Sequence, residues 1–192
     1  MTQLILASSS PFRKALLDKL NLSYTAISPD IDETRLESET PEAYVARLAQ
    51  QKAEALQAGF PAALIIGSDQ TAIINGETIG KPGNHATAFQ QLSDASGQKI
   101  TFLTGLSLLN SHTGECETAV VPFHVHFRQL TPSMINNYLK AEQPYQCAGS
   151  FKSEGLGIAL FEKLEGDDPN TLIGLPLIRL IKMLENQGVN TL

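Results

Sequence analysis

The sequence feature that most limits the possible folds is the apolar run AALIIGSD at 62–69, which is the strongest buried-strand signal in the chain. A continuous apolar run of this length is typical of a strand that is covered on both faces. The run ends on Gly67, Ser68 and Asp69. Polar residues at the end of a buried strand of an α/β sheet face a cleft, so Asp69 is a candidate site residue. The alternative is that Asp69 caps local N–H groups in a turn.

The other predicted elements mix helices with hairpins. Asn75-Gly76 between apolar stretches predicts a hairpin, and Thr113-Gly114 predicts a turn between two long strands. The remaining elements are a strand at 3–7, a helix from Ser10-Pro11, a strand at 23–28, a helix from Thr40-Pro41 to about residue 58, a helix near 84–95, a helix from Thr131-Pro132, a strand within 155–164 and one amphipathic helix over 170–187. This mixture predicts an α/β fold with a mixed central sheet and flanking helices, in a single domain over residues 1–192.

Charge and composition exclude several classes of protein. The formal net charge is −6, so a general nucleic-acid binder, which usually has a basic face, is not expected. Cys116 and Cys147 have neither the spacing of a metal site nor a disulfide framework, as is typical of reduced thiols in the cytosol. No signal peptide and no long apolar run is visible. We therefore expect a soluble, cytoplasmic protein that binds neither nucleic acid nor membrane.

The segment SSSPFRK at 8–14 combines serines, a predicted helix start and two cations. A helix N-terminus favours anions, and Arg13 can bind a phosphate with two parallel hydrogen bonds. These features make Ser8 and Arg13 candidate phosphate ligands; the alternative is a helix cap with surface charges, which the segment taken alone favours. Phe12 lies between the proline and the arginine, where a phosphate site has no need of an aromatic ring.

Three further charges and one loop are candidates only in combination. Lys81 lies between a glycine and a proline, Lys52 lies in the predicted helix that begins at Pro41, and Glu33 lies in an acidic loop. Each alone is more often a solvated charge. The loop GSFKSEGLG at 149–157 contains an aromatic residue, a lysine and Glu154 between glycines, which is typical of loops that line ligands.

The motifs LILASSSPFRKALL, IDET, VARLAQQKA, IIGSDQ, GKP, FRQLT, CAGSFKSEGLG and GLPL occur in this order. Together they resemble the Maf family of nucleoside triphosphate pyrophosphatases along essentially the whole chain. The resemblance implies a fold like that of inosine-triphosphate pyrophosphatases, with two lobes around a central cleft. It also implies cleavage of a nucleoside triphosphate between the α and β phosphates, a divalent cation such as Mg²⁺ or Mn²⁺, and a homodimer.

The resemblance also implies roles for individual residues. Ser8 and Arg13 match phosphate-binding positions of the family. The matching catalytic set is Asp69 as the proton acceptor with Glu33, Lys52 and Lys81. In this assignment Asp69, with Glu33, holds the cation and orients or deprotonates the attacking water. Arg13 and the two lysines neutralise the triphosphate and the pyrophosphate leaving group.

Three positions resemble the 7-methyl-GTP branch of the family: Phe12, Gln70 and Glu154. Guanine presents two adjacent donors, and an ionised carboxylate such as that of Glu154 can accept both. Methylation at N7 makes the base cationic, and an aromatic ring then adds about 0.5–2 kcal/mol of cation–π attraction. The chain departs from that branch at position 12, where Trp is expected and Phe stands.

Two other functions remain open at this stage. The first is a broader pyrophosphatase, or one that prefers dTTP and UTP. The second is a nucleotide-binding regulator of septum formation without important catalysis, which the complete set of catalytic-type residues argues against.

Overall fold

The computed structural model describes residues 3–192. A seven-stranded sheet has the order β2-β1-β3-β5-β6-β7, and β4 pairs with β3. The strands are β1 Gln3–Ala7, β2 Thr25–Ile27, β3 Ala63–Ile74, β4 Glu77–Ile79, β5 Lys99–Asn110, β6 Cys116–Phe127 and β7 Phe161–Glu165. β1 is parallel to β2 and β3, whereas β3–β4 and β6–β7 are antiparallel. The predicted α/β fold with a mixed sheet is therefore confirmed.

Six α-helices accompany these strands in the described part of the chain. They are α1 Pro11–Asp18, α2 Pro41–Glu54, α3 His85–Ala95, α4 Pro132–Glu142, α5 Asn170–Ile173 and α6 Leu177–Asn186. The first four begin with a capping side chain: the residue before each helix accepts a hydrogen bond from a backbone N–H of its first turn. Three of these caps precede a proline, which explains why the helix starts were readable in the sequence.

The chain divides into two compact units, and β3, β5 and β6 each pass from one into the other. The first unit contains residues up to Gln70, Thr104–Val121 and Asn170–Leu192. Its strand β1 buries both faces, since Leu4 and Leu6 belong to one apolar cluster while Ile5 and Ala7 belong to another. A strand buried on both sides is what the continuous apolar runs predicted.

The second unit contains residues Thr71–Leu103 and Pro122–Pro169. Asn75 and Gly76 have φ values of 51° and 83°, so the predicted hairpin has the turn that an Asn-Gly pair favours. On β6 the residues Phe123, Val125 and Phe127 are buried. The two histidines between them are only partly buried, so the two faces of this part of β6 differ.

Several predicted elements differ from the structure. The strand predicted to end at Asp69 continues to Ile74, because its last residues pair with β4, so Asp69 lies within β3 and neither at a strand end nor in a turn. The helix that begins at Pro41 ends at Glu54, and a short 3₁₀ segment at 57–59 follows. Residues 156–160 form a 3₁₀ segment, so the late strand begins only at Phe161. The single helix predicted over 170–187 is wrong: Gly174 has φ 122° and Pro176 follows, so the segment contains two helices instead.

Candidate active site

Two glycines allow α2 to lie close against the sheet. A Cβ atom on Gly67 would lie 2.0 Å from the carbonyl oxygen of Ala49, and one on Gly105 would lie 2.0 Å from that of Val45. Any other residue at these positions would therefore push the helix away from β3 or β5. Gly67 lies two residues before Asp69, so this close approach sets the distance between the helix and the candidate base.

Lys52 joins two carboxylates in the first unit. Its Nζ lies 2.6 Å from Oδ1 of Asp69 and 2.8 Å from Oε1 of Glu33. Lys52 and Asp69 are 7% and 8% exposed, whereas Glu33 is exposed. A buried ammonium is strongly unfavourable without anionic partners, and these carboxylates supply them. We call Glu33, Lys52 and Asp69 the carboxylate–lysine cluster.

The acidic loop that carries Glu33 is fixed to α2. The hydroxyl of Tyr44 donates to the carbonyl oxygen of Glu33 at 3.0 Å. Arg47 donates to the carbonyl oxygen of Thr34 and to both carboxylate oxygens of Glu39. These hydrogen bonds lower the pKa of Glu39 to about 2, and its own burial opposes the shift. Burial raises the pKa of Tyr44, and the nearby charges of Asp69 and Glu33 add to the effect.

The turn from β1 to α1 contains the predicted phosphate ligands. Ser10 is the N-cap and accepts from the N–H of Arg13, while the buried Ser8 accepts from the N–H of Ser10 at 3.1 Å. Pro11 has no N–H, so the first turn of α1 retains few donors for an anion. Phosphate binding here therefore depends on side chains, above all on Arg13.

One backbone carbonyl orients Arg13. Its Nε donates to the carbonyl oxygen of Gly174 at 2.8 Å, and the hydroxyl of Ser68 donates to the same oxygen at 3.0 Å. The guanidinium has four more N–H groups for a ligand. Burial lowers the pKa of Arg13, and the charges of Asp69 and Glu33 oppose this effect. Because Ser68 precedes Asp69 and shares the carbonyl oxygen of Gly174 with Arg13, the cation is held beside the carboxylate–lysine cluster.

Gln70 has its amide nitrogen fully engaged. Nε2 donates to Thr104 Oγ1 at 3.0 Å and to the carbonyl oxygens of Thr171 and Leu172 at 2.8 and 3.2 Å. A flipped amide would place its oxygen against two carbonyl oxygens, so the neighbours determine the orientation. Toward a ligand, the amide of Gln70 is therefore limited to its acceptor, Oε1.

The other predicted site residues lie at more exposed positions. Phe12 is the second residue of α1 and is partly exposed. Lys81 and Glu154 belong to the second unit, and both are exposed. Glu154 lies in the turn Ser153–Gly155, which we call the 153–155 turn. The first unit thus contains the two phosphate positions, Gln70 and the carboxylate–lysine cluster, whereas the second contains Glu154 and the remaining predicted catalytic residue, Lys81.

The residues present fit a divalent cation that substrate phosphates help to hold. Within residues 3–192, no group of three or more His, Cys, Asp or Glu side chains is arranged to bind a metal. Asp69 and Glu33 supply two carboxylates, and Mg²⁺ is commonly bound by one or two carboxylates together with phosphates and water. Lys52 already bridges this pair, so a cation would have to compete with its ammonium.

Several residues of the site escaped the sequence analysis. Ser68 and Gly174 orient Arg13, and Thr104 and Thr171 hold Gln70. The spacing of Gly174 and Pro176 inside an apparently continuous helix was a readable signal for a break. That the carbonyl oxygen at the break would bind Arg13 could not be read, because the two residues are 161 positions apart.

The chain belongs to the Maf family. The family model described as "Maf-like protein" matches residues 3–187. The predicted family membership is therefore confirmed.

Curated relatives match nearly the whole chain. A protein of Nitrosococcus oceani is 58% identical over 185 residues, which cover 96% of this chain and 93% of that protein. A protein of Alcanivorax borkumensis is 59% identical over 186 residues, which cover 97% and 94% of the two chains. Both relatives are named "7-methyl-GTP pyrophosphatase".

Solved structures give weaker similarities. A HAM1 protein from Coxiella burnetii is 18% identical with a TM-score of 0.46, covering 66% of this chain and 73% of its own. The Staphylococcus aureus Ham1 protein is 16% identical with a TM-score of 0.48, covering 66% and 72%. The family assignment rests on the sequence matches.

Across residues 3–192, no helix combines the length and the apolar character that crossing a bilayer requires.

Proposed function

We propose that this protein is a nucleoside triphosphate pyrophosphatase that hydrolyses 7-methyl-GTP to 7-methyl-GMP and pyrophosphate. The observation that carries the proposal is the carboxylate–lysine cluster beside Arg13, which shares the carbonyl oxygen of Gly174 with Ser68, the neighbour of Asp69. This arrangement combines a candidate base with cations for a polyphosphate. The names of the relatives support the choice of substrate. Such an enzyme would remove modified nucleotides from the cytoplasmic pool.

Asp69 is the proposed proton acceptor. Lys52 engages its Oδ1, so Oδ2 is the oxygen that would take a proton from water. The water oxygen would attack the α phosphorus, and the bond from that phosphorus to the bridging oxygen would break, releasing pyrophosphate. A general base of this kind contributes about 10²–10⁴-fold to the rate.

The cations are proposed to neutralise the phosphates. Arg13, oriented through Nε, would bind phosphate oxygens with its remaining N–H groups, and the hydroxyl of Ser8 would donate to another. Lys52 and Lys81 would balance the charge that develops on pyrophosphate. A divalent cation, Mg²⁺ or Mn²⁺, held by Asp69 and Glu33, would supply Lewis acidity at the phosphate oxygens.

Base selection is assigned to Phe12, Gln70 and Glu154. The amide of Gln70 can offer a ligand only an acceptor, and the ionised carboxylate of Glu154 is also an acceptor. Two acceptors suit the donor edge of guanine. Phe12 would stack on the methylated, cationic base, and Phe12→Arg should lower turnover of 7-methyl-GTP; an unchanged rate would assign the ring to helix packing instead.

The test is a substrate panel with purified protein and Mg²⁺ or Mn²⁺. We expect 7-methyl-GTP to be hydrolysed faster than GTP, dTTP and UTP, with monophosphate and pyrophosphate as products. In water enriched in ¹⁸O, the label should enter 7-methyl-GMP. Faster hydrolysis of dTTP or UTP would favour the pyrimidine-type alternative, and no release from any triphosphate would favour a non-catalytic regulator of septum formation.

The homodimer implied by the family resemblance is part of the proposal. Sedimentation equilibrium of the purified chain measures it directly. Twice the chain mass at micromolar concentration is expected, and the single-chain mass would contradict it.

A further inference from the structure

The segment before the 153–155 turn is anchored in an aromatic cluster of the second unit. Phe151 is 6% exposed, and its ring packs edge-to-face against Phe161, Phe102 and Phe127 with centroids 4.9, 5.3 and 5.6 Å away. Edge-to-face pairs contribute beyond the area they bury. The backbone is therefore fixed immediately before the turn begins.

Lys152 is fixed to α4 both through its backbone and through its side-chain ammonium. Its backbone N–H donates to the buried hydroxyl of Tyr138 at 3.0 Å. Its Nζ donates to the carbonyl oxygen of Glu142, the last residue of α4, at 3.0 Å and lies 3.6 Å from Oε2 of the same residue. An ammonium at a helix C-terminus is also favoured by the helix dipole. The charge of Lys152 is thus engaged within the second unit.

Glu142 fixes the other side of the turn. Its Oε1 accepts from the N–H of Leu156 at 2.9 Å. A Cβ atom on Gly155 would lie 2.8 Å from that oxygen, and one on Gly157 would lie 2.2 Å from the carbonyl oxygen of Lys152. Both glycines thus permit the close approach. The carboxylate of Glu142 therefore binds Lys152 before the turn and Leu156 after it.

We infer that Glu142 and Lys152 are positioning residues that hold the 153–155 turn, so that Glu154 presents its carboxylate to the base from a fixed backbone. The inference rests on the proposed function. Glu154 itself is exposed, and its carboxylate accepts a long hydrogen bond, 3.4 Å, from the hydroxyl of the neighbouring Ser153, which belongs to the same turn and therefore does not fix it to the rest of the unit. A carboxylate that must accept two adjacent donors loses discrimination when its backbone moves, because hydrogen bonds weaken steeply with angle. Selectivity for the base would then depend on residues that never touch it.

The test compares Glu142→Ala with wild type in two measurements. The first is hydrogen–deuterium exchange of peptides covering 151–157. The second is the ratio of kcat/KM for 7-methyl-GTP to that for dTTP. We expect faster exchange in the peptides and a ratio lowered by about tenfold, carried by KM for 7-methyl-GTP, since a well-placed hydrogen bond to a charged group is worth at least that much.

Two further variants keep the inference falsifiable. Glu142→Gln retains an acceptor for Leu156 but loses the ion pair with Lys152, so its exchange and ratio should be intermediate. Lys152→Met removes the other half of the clamp and replaces Glu142→Ala if that variant does not fold.

Glu117→Ala is the matched control, because Glu117 also pairs with a cation, Arg179, but belongs to the first unit. It should leave both measurements unchanged.

The outcomes separate the clamp from the proposed function. Unchanged exchange at 151–157 overturns the clamp, and faster exchange with an unchanged ratio overturns its role in selectivity. A wild type that does not hydrolyse 7-methyl-GTP overturns the proposed function and with it the role in base selection, whereas the exchange measurement still decides whether Glu142 holds the turn.

Discussion

The carboxylate–lysine cluster and the 153–155 turn hold their charged residues in opposite ways. In the cluster, Lys52 and Asp69 are buried and each is the other's partner. In the turn, Glu154 is exposed, and Glu142 and Lys152 fix the backbone around it. Residues of the cluster therefore cannot change without disturbing one another. Glu154 can change with little effect on stability, which suits a position that selects among substrates.

The largest effect that this contrast predicts is at the candidate base. Asp69→Asn keeps the shape but removes the proton acceptor, so turnover of every triphosphate should fall by about 10³-fold. Pyrophosphate release at saturating substrate measures it. Glu117→Gln, which changes an exposed ion pair, is the control and should retain full activity. A loss smaller than tenfold would remove Asp69 from its assigned role.

The second prediction concerns Lys52 as the resident cation of the cluster. Lys52→Met leaves two carboxylates without their ammonium, and the variant should lose about 3 kcal/mol of stability. Without nucleotide it should bind Mn²⁺ more tightly than wild type, as measured by electron paramagnetic resonance. Mn²⁺ should also raise its thermal midpoint more than that of wild type. Equal affinity in the two proteins would show that Asp69 and Glu33 do not form the cation site.

The third prediction tests the close approach of α2 to β3. Gly67→Ala places a methyl group where the carbonyl oxygen of Ala49 lies, so the variant should lose about 1–3 kcal/mol of stability in urea unfolding, together with activity. Gly59→Ala is the matched control, because no atom lies within 4 Å of its added Cβ. Equal stability of the two variants would contradict the proposed role of Gly67.

The smallest predicted effect is the pH dependence of the stability that Glu39 contributes in the loop that carries Glu33. The pKa of Glu39 is lowered from 4.5 to about 2 by Arg47, so its contribution is complete above about pH 4.5 and disappears as the pH falls toward 2. Wild type should therefore exceed Glu39→Gln in urea midpoint at pH 7, and the difference should shrink between pH 4.5 and 2. A difference that is constant over this range would argue against the ion pair.

The parts of the fold with a local cause could be predicted from the sequence. The Asn75-Gly76 hairpin and the helices that begin at Pro11, Pro41 and Pro132 depend on residues next to one another in the chain. The break at Gly174 was missed, since apolar residues continue with helical spacing on both sides of it. The prediction of one helix followed this periodic pattern, although a glycine and a proline close together are a signal that a helix ends.

The candidate site, like the fold, has residues that the sequence indicated and contacts that it did not. Residue types and family motifs indicated Arg13, Lys52, Asp69 and Glu154 as site residues, and their assigned roles stay predictions. The sequence could not show that Gly174 orients Arg13 or that Glu142 anchors the 153–155 turn. The contact of Glu142 follows from its place as the last residue of α4, which Gln143 terminates in a left-handed conformation with φ 46°. Such contacts form only when the chain has folded, so no local sequence pattern indicates them.

The most direct test of the proposed base selection is one ratio, kcat/KM for 7-methyl-GTP over kcat/KM for dTTP, measured in wild type and in Glu154→Gln. We expect a wild-type ratio well above one. In the variant the ratio should fall by about tenfold, because one charged hydrogen-bond acceptor is lost while dTTP hydrolysis is retained. A wild type that prefers dTTP, or a variant that loses both substrates equally, would contradict the proposed base selection.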